Sequence, residues 1–278
     1  MWSWVVLSFC YLNGLHCAAA TSGYAPVNDL KMYYEIQGDG PMPLVLIHGG
    51  GSTIESSFGK LLPLLSGYGK VIAVELQAHG RTSDRHAPES FQQDADDVAA
   101  LLKYLKIEKA NVLGFSNGGS TTMQIAIRHP ELVNKIVVIS ANYRRDGMVP
   151  GFFESLQNAT LESMPAPLQA AYLKVAPHKE HLQVMFEKDR DRMLAFKDWP
   201  DDQLRSIKAP ALLMVADHDV VTPEHVIKMS HLIPNAQLII LPGTHGSFIG
   251  EVGSAKEGSP LLAMTAALVK EFLNARLE

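Results

Sequence analysis

Strand-length apolar runs, separated by helix-length stretches, constrain this chain more than any other feature. Pro43 to His48, Val71 to Leu76, Lys109 to Phe115, Lys135 to Ser140, Ala211 to Ala216 and Gln237 to Leu241 are such runs. A strand with one wet face alternates apolar and polar residues, whereas a continuous apolar strand is covered on both faces. Leu30 to Gln37 reads as a further strand. Between the runs, Phe91 to Lys106 places Val98, Leu101, Leu102 and Leu105 at helical spacing, and Pro223 to Leu232 and Pro260 to Leu277 read as later helices. Strands alternating with helices imply βαβ units and a mostly parallel sheet with helices on both faces.

The alternation stops at about 141–209. That stretch holds helical patterns, no clear buried strand, and recurring Phe152, Phe153, Met164, Tyr172, Met185, Phe186, Phe196 and Trp199. It reads as a helical cap inserted over the sheet edge. Most of these side chains are expected to pack the cap, and a minority to line a substrate pocket.

Within the alternation, Gly114-Phe115-Ser116-Asn117-Gly118 stands between a predicted strand and a predicted helix, Asn117 to Arg128, which ends before Pro130. A serine at such a turn is held in a strained conformation with its hydroxyl exposed, and the flanking glycines let strand and helix approach closely. A hydroxyl needs a base to become a nucleophile, and the base needs an orienting acid. Two candidates follow the cap. Asp219 lies just past the run Ala211 to Ala216, and His245 lies in Pro242-Gly243-Thr244-His245-Gly246 after the run Gln237 to Leu241. Asp217, two residues earlier, rivals Asp219 as the acid. His48-Gly49-Gly50-Gly51 follows another strand, so the Gly50 and Asn117 backbone N–H groups are candidates for an oxyanion site. His48 and His79 read as structural residues. His218 and His225 lack further ligands at metal-binding spacing.

Taken together, these pieces resemble the α/β-hydrolase superfamily, in its small serine esterase-like branch with a helical cap. The resemblance rests on His48 to Gly51, Ala78-His79-Gly80-Arg81-Thr82-Ser83, Gly114 to Gly118, Ala216-Asp217-His218-Asp219 and Gly243-Thr244-His245-Gly246, which span nearly the whole of residues 21–278. It implies an eight-stranded, mostly parallel sheet with the active site at strand ends beneath the cap. It also implies cleavage of carboxylic esters through an acyl-enzyme, with no metal or organic cofactor. The apolar cap suggests small to medium uncharged acyl or aryl esters. The same triad would serve a lactonase, a carbon–carbon bond hydrolase or a perhydrolase, and a receptor can keep the fold with little turnover. Relatives that hydrolyse epoxides or haloalkanes carry an aspartate at the elbow, where this chain has Ser116. Glu75-Leu76-Gln77 and Thr244 depart from the common pattern, so the loop after Val74 is expected to line the pocket differently.

A formal net charge of -5 without a long basic run gives no basis for binding nucleic acid or anionic membranes. The apolar stretch Trp2 to Leu15, followed by Ala18-Ala19-Ala20, reads as a signal peptide cleaved near Ala20, and hence as export; it is too short for a membrane span. Cys10 and Cys17 both lie in it, so the remaining chain offers neither a disulfide nor a thiol nucleophile.

Overall fold

The computed structural model describes residues 21–65 and 67–275. The expected signal peptide lies outside the described residues. Among those described, no helix is long and apolar enough to cross a membrane.

One eight-stranded sheet organises the chain: β1 (Thr21–Val27), β2 (Leu30–Gln37), β3 (Leu44–Ile47), β4 (Val71–Val74), β5 (Ala110–Phe115), β6 (Val133–Ile139), β7 (Ala211–His218) and β8 (Ala236–Thr244). Their spatial order is β1-β2-β4-β3-β5-β6-β7-β8. The first two pairings, β1 with β2 and β2 with β4, are antiparallel, and every later one is parallel. The hairpin between β1 and β2 turns at Asn28 and Asp29, both at positive φ, which these two residue types tolerate.

Successive residues of the central strands face opposite helical layers, which is why the strands carry no polar face. Val45, Ile47, Val112, Val138, Leu213 and Val215 point into one core with Val98, Leu101 and Leu102 of α2 (Phe91–Tyr104). Met123 of α3 (Asn117–Arg128) and Met229 of α8 (Pro223–Leu232) fill the same core. Leu44, Leu46, Leu113, Val137 and Met214 point the other way, onto Phe58 of α1 (Ile54–Phe58) and Val269 and Phe272 of α9 (Leu261–Asn274). Lys135 donates to the carbonyls of Phe272, Leu273 and Ala275, satisfying the carbonyls that the end of α9 leaves free.

Between β6 and β7 lie α4 (Phe152–Gln157), α5 (Ala166–Val175), α6 (Leu182–Ala195) and α7 (Asp201–Arg205). Met164, Tyr172, Leu182 and Met185 form a small core with Ala78, which follows β4. This layer sits at the carboxyl ends of the parallel strands, because those ends carry the turns at Gly49, Ser116, Ser140 and Asp219 that border the same pocket or site.

Candidate active site

The turn after β5 has the conformation its sequence demands. Ser116 stands at φ 55° and ψ -121°, a region that costs a non-glycine residue on the order of 1–3 kcal/mol. Neither flanking glycine could carry a side chain. A Cβ on Gly114 would run into the Gly118 carbonyl oxygen, and one on Gly118 into the Ile47 carbonyl oxygen. Ser116 occupies the position before α3, but its hydroxyl makes no capping bond there. The hydroxyl meets His245 Nε2 at 3.0 Å instead.

His245 Nδ1 donates to Asp219 Oδ1 at 2.6 Å. The structure therefore brings Ser116, His245 and Asp219 into one line, from three loops at strand ends. Asp219 is buried, and its other bonds fix it: Ser140 Oγ donates to Oδ2 at 2.6 Å and the Val221 N–H to Oδ1 at 3.2 Å. Burial opposes the charge of Asp219, yet the His245 bond and charge outweigh it, and its pKa lies below the usual value. Burial likewise opposes protonated His245, but the Asp219 bond and charge, with a push from Glu251, raise the imidazole above its ordinary 6.5. Asp217 has other work, since its Oδ1 accepts the Gly243 N–H at 2.7 Å and so shapes the loop before His245. Neither aspartate caps α8; Thr222 does.

The Gly50 and Asn117 backbone N–H groups have no acceptor among the described residues, and both residues border the pocket that Ser116 enters. A Cβ on Gly50 would strike the Asn117 side-chain amide. The cavity is about 360 Å³, and its walls include Met148, Phe152, Leu156, Met164 and Phe186, mostly from the cap. Phe153, Tyr172, Met185, Phe196 and Trp199 are not among its walls and pack elsewhere.

Several participants carry no local sequence signal. Ser140, at φ 52°, orients Asp219. Glu251 is buried beside the histidine loop, where Ser52 Oγ donates to it at 3.0 Å. Burial pushes its carboxyl up to about 7, although the His245 charge pulls the other way. His48 is neutral, as its geometry requires: Nδ1–H donates to Gly49 O at 2.7 Å and Nε2 accepts the Leu76 N–H at 3.1 Å. Burial takes its pKa down to about 3.

His79 differs from a simple turn residue. Both ring nitrogens face acceptors, Gln77 O at 2.7 Å and Asp189 Oδ2 at 2.9 Å. Burial disfavours its cation, but the charge and hydrogen bond of Asp189 prevail and lift it to about 9. Asp189, on α6, also binds Arg192, whose side chain is 2% exposed and pairs with Asp94 at 2.8 Å and Glu89 at 3.4 Å. Glu75, part of the departure noted before His79, is buried and accepts from Arg81 Nη1 at 2.8 Å. It is not among the residues that line the pocket beside Ser116. Among the described residues, no group of three or more His, Cys, Asp or Glu is placed to hold a metal ion.

A family model described as alpha/beta hydrolase fold matches residues 42–194. The chain belongs to the α/β-hydrolase fold family. It is similar to the serine hydrolase BPHL of Homo sapiens, 28% identical over 246 residues, which cover 82% of this chain and 81% of that one. Among solved structures, the enol-lactonase of Burkholderia xenovorans LB400 superposes with a TM-score of 0.71 at 22% identity, covering 91% of this chain and all of the other (100%). The 2-hydroxy-6-oxo-6-phenylhexa-2,4-dienoate hydrolase of Rhodococcus sp. strain RHA1 gives 0.72 at 18% identity, covering 92% of this chain and 99% of the other. These relatives are hydrolases, and the family places this chain among hydrolases of the same fold.

Proposed function

We propose that this chain is a serine hydrolase that cleaves carboxylic esters through an acyl-enzyme intermediate. The observation that carries the reading is the unbroken line Ser116–His245–Asp219 at the foot of an apolar cavity. Ser116 Oγ attacks the ester carbonyl carbon while His245 Nε2 takes its proton. Asp219 remains ionised and stabilises the imidazolium that forms. The carbonyl oxygen becomes an oxyanion within reach of the Gly50 and Asn117 N–H groups, each such donor being worth on the order of 3 kcal/mol. His245 then protonates the departing alkoxide, and water, activated by the same base, releases the acid. The walls are mainly apolar, with Asp189 and Arg190 the charged side chains among them, and an apolar lining suits small to medium uncharged acyl or aryl esters. A cyclic ester would open by the same steps.

A fluorophosphonate probe and a p-nitrophenyl ester panel test this. The wild type is expected to label at Ser116, and Ser116→Ala and His245→Ala to lose on the order of 10⁴–10⁶ in kcat. Equal turnover in Ser116→Ala would sink the mechanism. Faster turnover of a lactone or a vinylogous diketone than of any open ester would redirect the substrate class while keeping the nucleophile.

A further inference from the structure

The three-glycine loop that carries Gly50 is the least restrained kind of backbone, because glycine loses the most freedom on ordering. An oxyanion site works only if its donors are fixed before the reaction. Something must therefore hold this loop, and the strand before it ends at Ile47. The body holds part of it, since Gly49 O accepts from His48 Nδ1 at 2.7 Å, the Gly49 N–H donates to Ser57 Oγ at 3.3 Å, and Gly50 O accepts from Ser52 Oγ at 3.4 Å. The cap adds a charged restraint on Gly51. Asp189 Oδ2 accepts the Gly51 N–H at 2.5 Å, with Gly51 at φ 66°. Asp189 Oδ1 accepts the Asn117 side-chain amide at 3.3 Å. That amide lies against Gly50, where a Cβ would collide with it. One carboxylate thus touches both segments that supply the oxyanion donors. His79 and Arg192 hold the same carboxylate, His79 at Oδ2 and Arg192 at Oδ1.

We propose that Asp189 is a positioning residue for the oxyanion site: by holding the Gly51 N–H and the Asn117 side chain, it aims the Gly50 and Asn117 backbone N–H groups. This rests on the serine-hydrolase reading above. It makes the seating of the cap a condition of transition-state stabilisation, besides its part in shaping the pocket. Bonds from a carboxylate to an N–H are charge-assisted and about twice as strong as neutral ones. They add to the neutral bonds that His48 and Ser52 make to the Gly49 and Gly50 carbonyls.

The test compares Asp189→Ala and Asp189→Asn with the wild type, each normalised by active-site titration with a fluorophosphonate. Normalising removes any unfolded fraction from the count. For Asp189→Ala, kcat on p-nitrophenyl acetate is expected to fall ~10–100-fold with KM within about threefold, as for a misaimed oxyanion donor. Affinity for an alkyl boronic acid, which mimics the tetrahedral state, is expected to fall in proportion to kcat/KM. Asp189→Asn should sit between, since its amide oxygen can still accept from Gly51. A titrated Asp189→Ala with wild-type kcat and only a lower melting temperature would overturn the proposal. Should that variant not fold, the wild-type Gly51 amide decides. A downfield, slowly exchanging proton is expected, and one exchanging as fast as an exposed loop amide would overturn it. A wild type that never reacts with the phosphonate would instead bring down the serine-hydrolase reading, and this proposal with it.

Discussion

The two walls of the candidate active-site pocket are held by different mixtures of forces. The sheet wall presents Ser116, Asp219 and His245 from loops anchored in apolar strands, whose residues alternate between two dry cores. The cap wall adds to its apolar contacts with the same core, through Met193, Phe196 and Trp199, a set of buried ion pairs, Asp189 with His79 and Arg192 with Asp94. Apolar burial is non-directional and tolerates small shape changes, so it supports a site through bulk. An ion pair out of water works only in one geometry and is costly when half removed. The sheet wall should therefore fail through its chemistry, and the cap wall through its seating.

Five substitutions, in four tests, probe that contrast. The largest effect should come from the acid. Asp219→Asn is expected to lose on the order of 10⁴ in kcat, because the imidazole is left in the wrong tautomer. Asp217→Asn, altering only a loop contact, should stay within about tenfold by the ordinary cost of a hydrogen bond. Steady-state kinetics on one ester decide it; equal losses would undo the assignment of the acid. Next is the cap. Arg192→Met leaves Asp189, Asp94 and Glu89 without their shared cation and should destabilise by about 3–5 kcal/mol, read by urea unfolding. A loss below about 1 kcal/mol would show that the ions do not pin the cap.

Third, Phe186→Ala widens the cavity from the cap side. The preference for longer acyl chains over acetate should rise by roughly tenfold in kcat/KM, the scale of one or two methylenes in an apolar pocket. An unchanged chain-length profile would remove Phe186 from the acyl path. The smallest effect concerns pH. In the proposed mechanism the rate depends on neutral His245, so it should rise with pH through a midpoint above 6.5, since the folded protein raises this pKa. Glu251 is one cause of the rise, so Glu251→Gln removes negative charge and should move the midpoint to lower pH. A midpoint that stays or climbs would contradict the electrostatic link.

The sheet wall was largely legible because its determinants are local. A buried parallel strand must be apolar on both faces, and a nucleophile turn must carry glycine where a Cβ would meet a carbonyl, as at Gly114 and Gly118. The strand at Thr21–Val27 escaped notice because it is an edge with Gly23 and Pro26 and mostly exposed residues, so no apolar run announces it. The family resemblance supplied the count of eight strands, which spacing alone did not. Asp219 was preferred in sequence but its rival Asp217 stayed open, since both follow the same run; the Gly243 and His245 contacts separate their tasks. The cap ions were hidden for a related reason. Asp189 and Arg192, three apart on a helix, look like any solvated pair, and only their burial against His79 and Asp94 gives them a role. Glu251 lies in a loop after His245 with no pattern around it.

The position of the cap in the chain also sets a timetable. During synthesis β6 is complete at Ile139, but its outer neighbour β7 begins only at Ala211, after every cap helix has been made. For that interval the Val137–Ile139 edge has no strand beside it, a condition that favours association with other chains. Asp219 and His245 arrive later still, so a nascent chain holds the Ser116 turn before the proposed acid and base exist. The insertion that lines the pocket therefore also fixes how long an apolar sheet edge must wait, and lengthening it would lengthen that exposure.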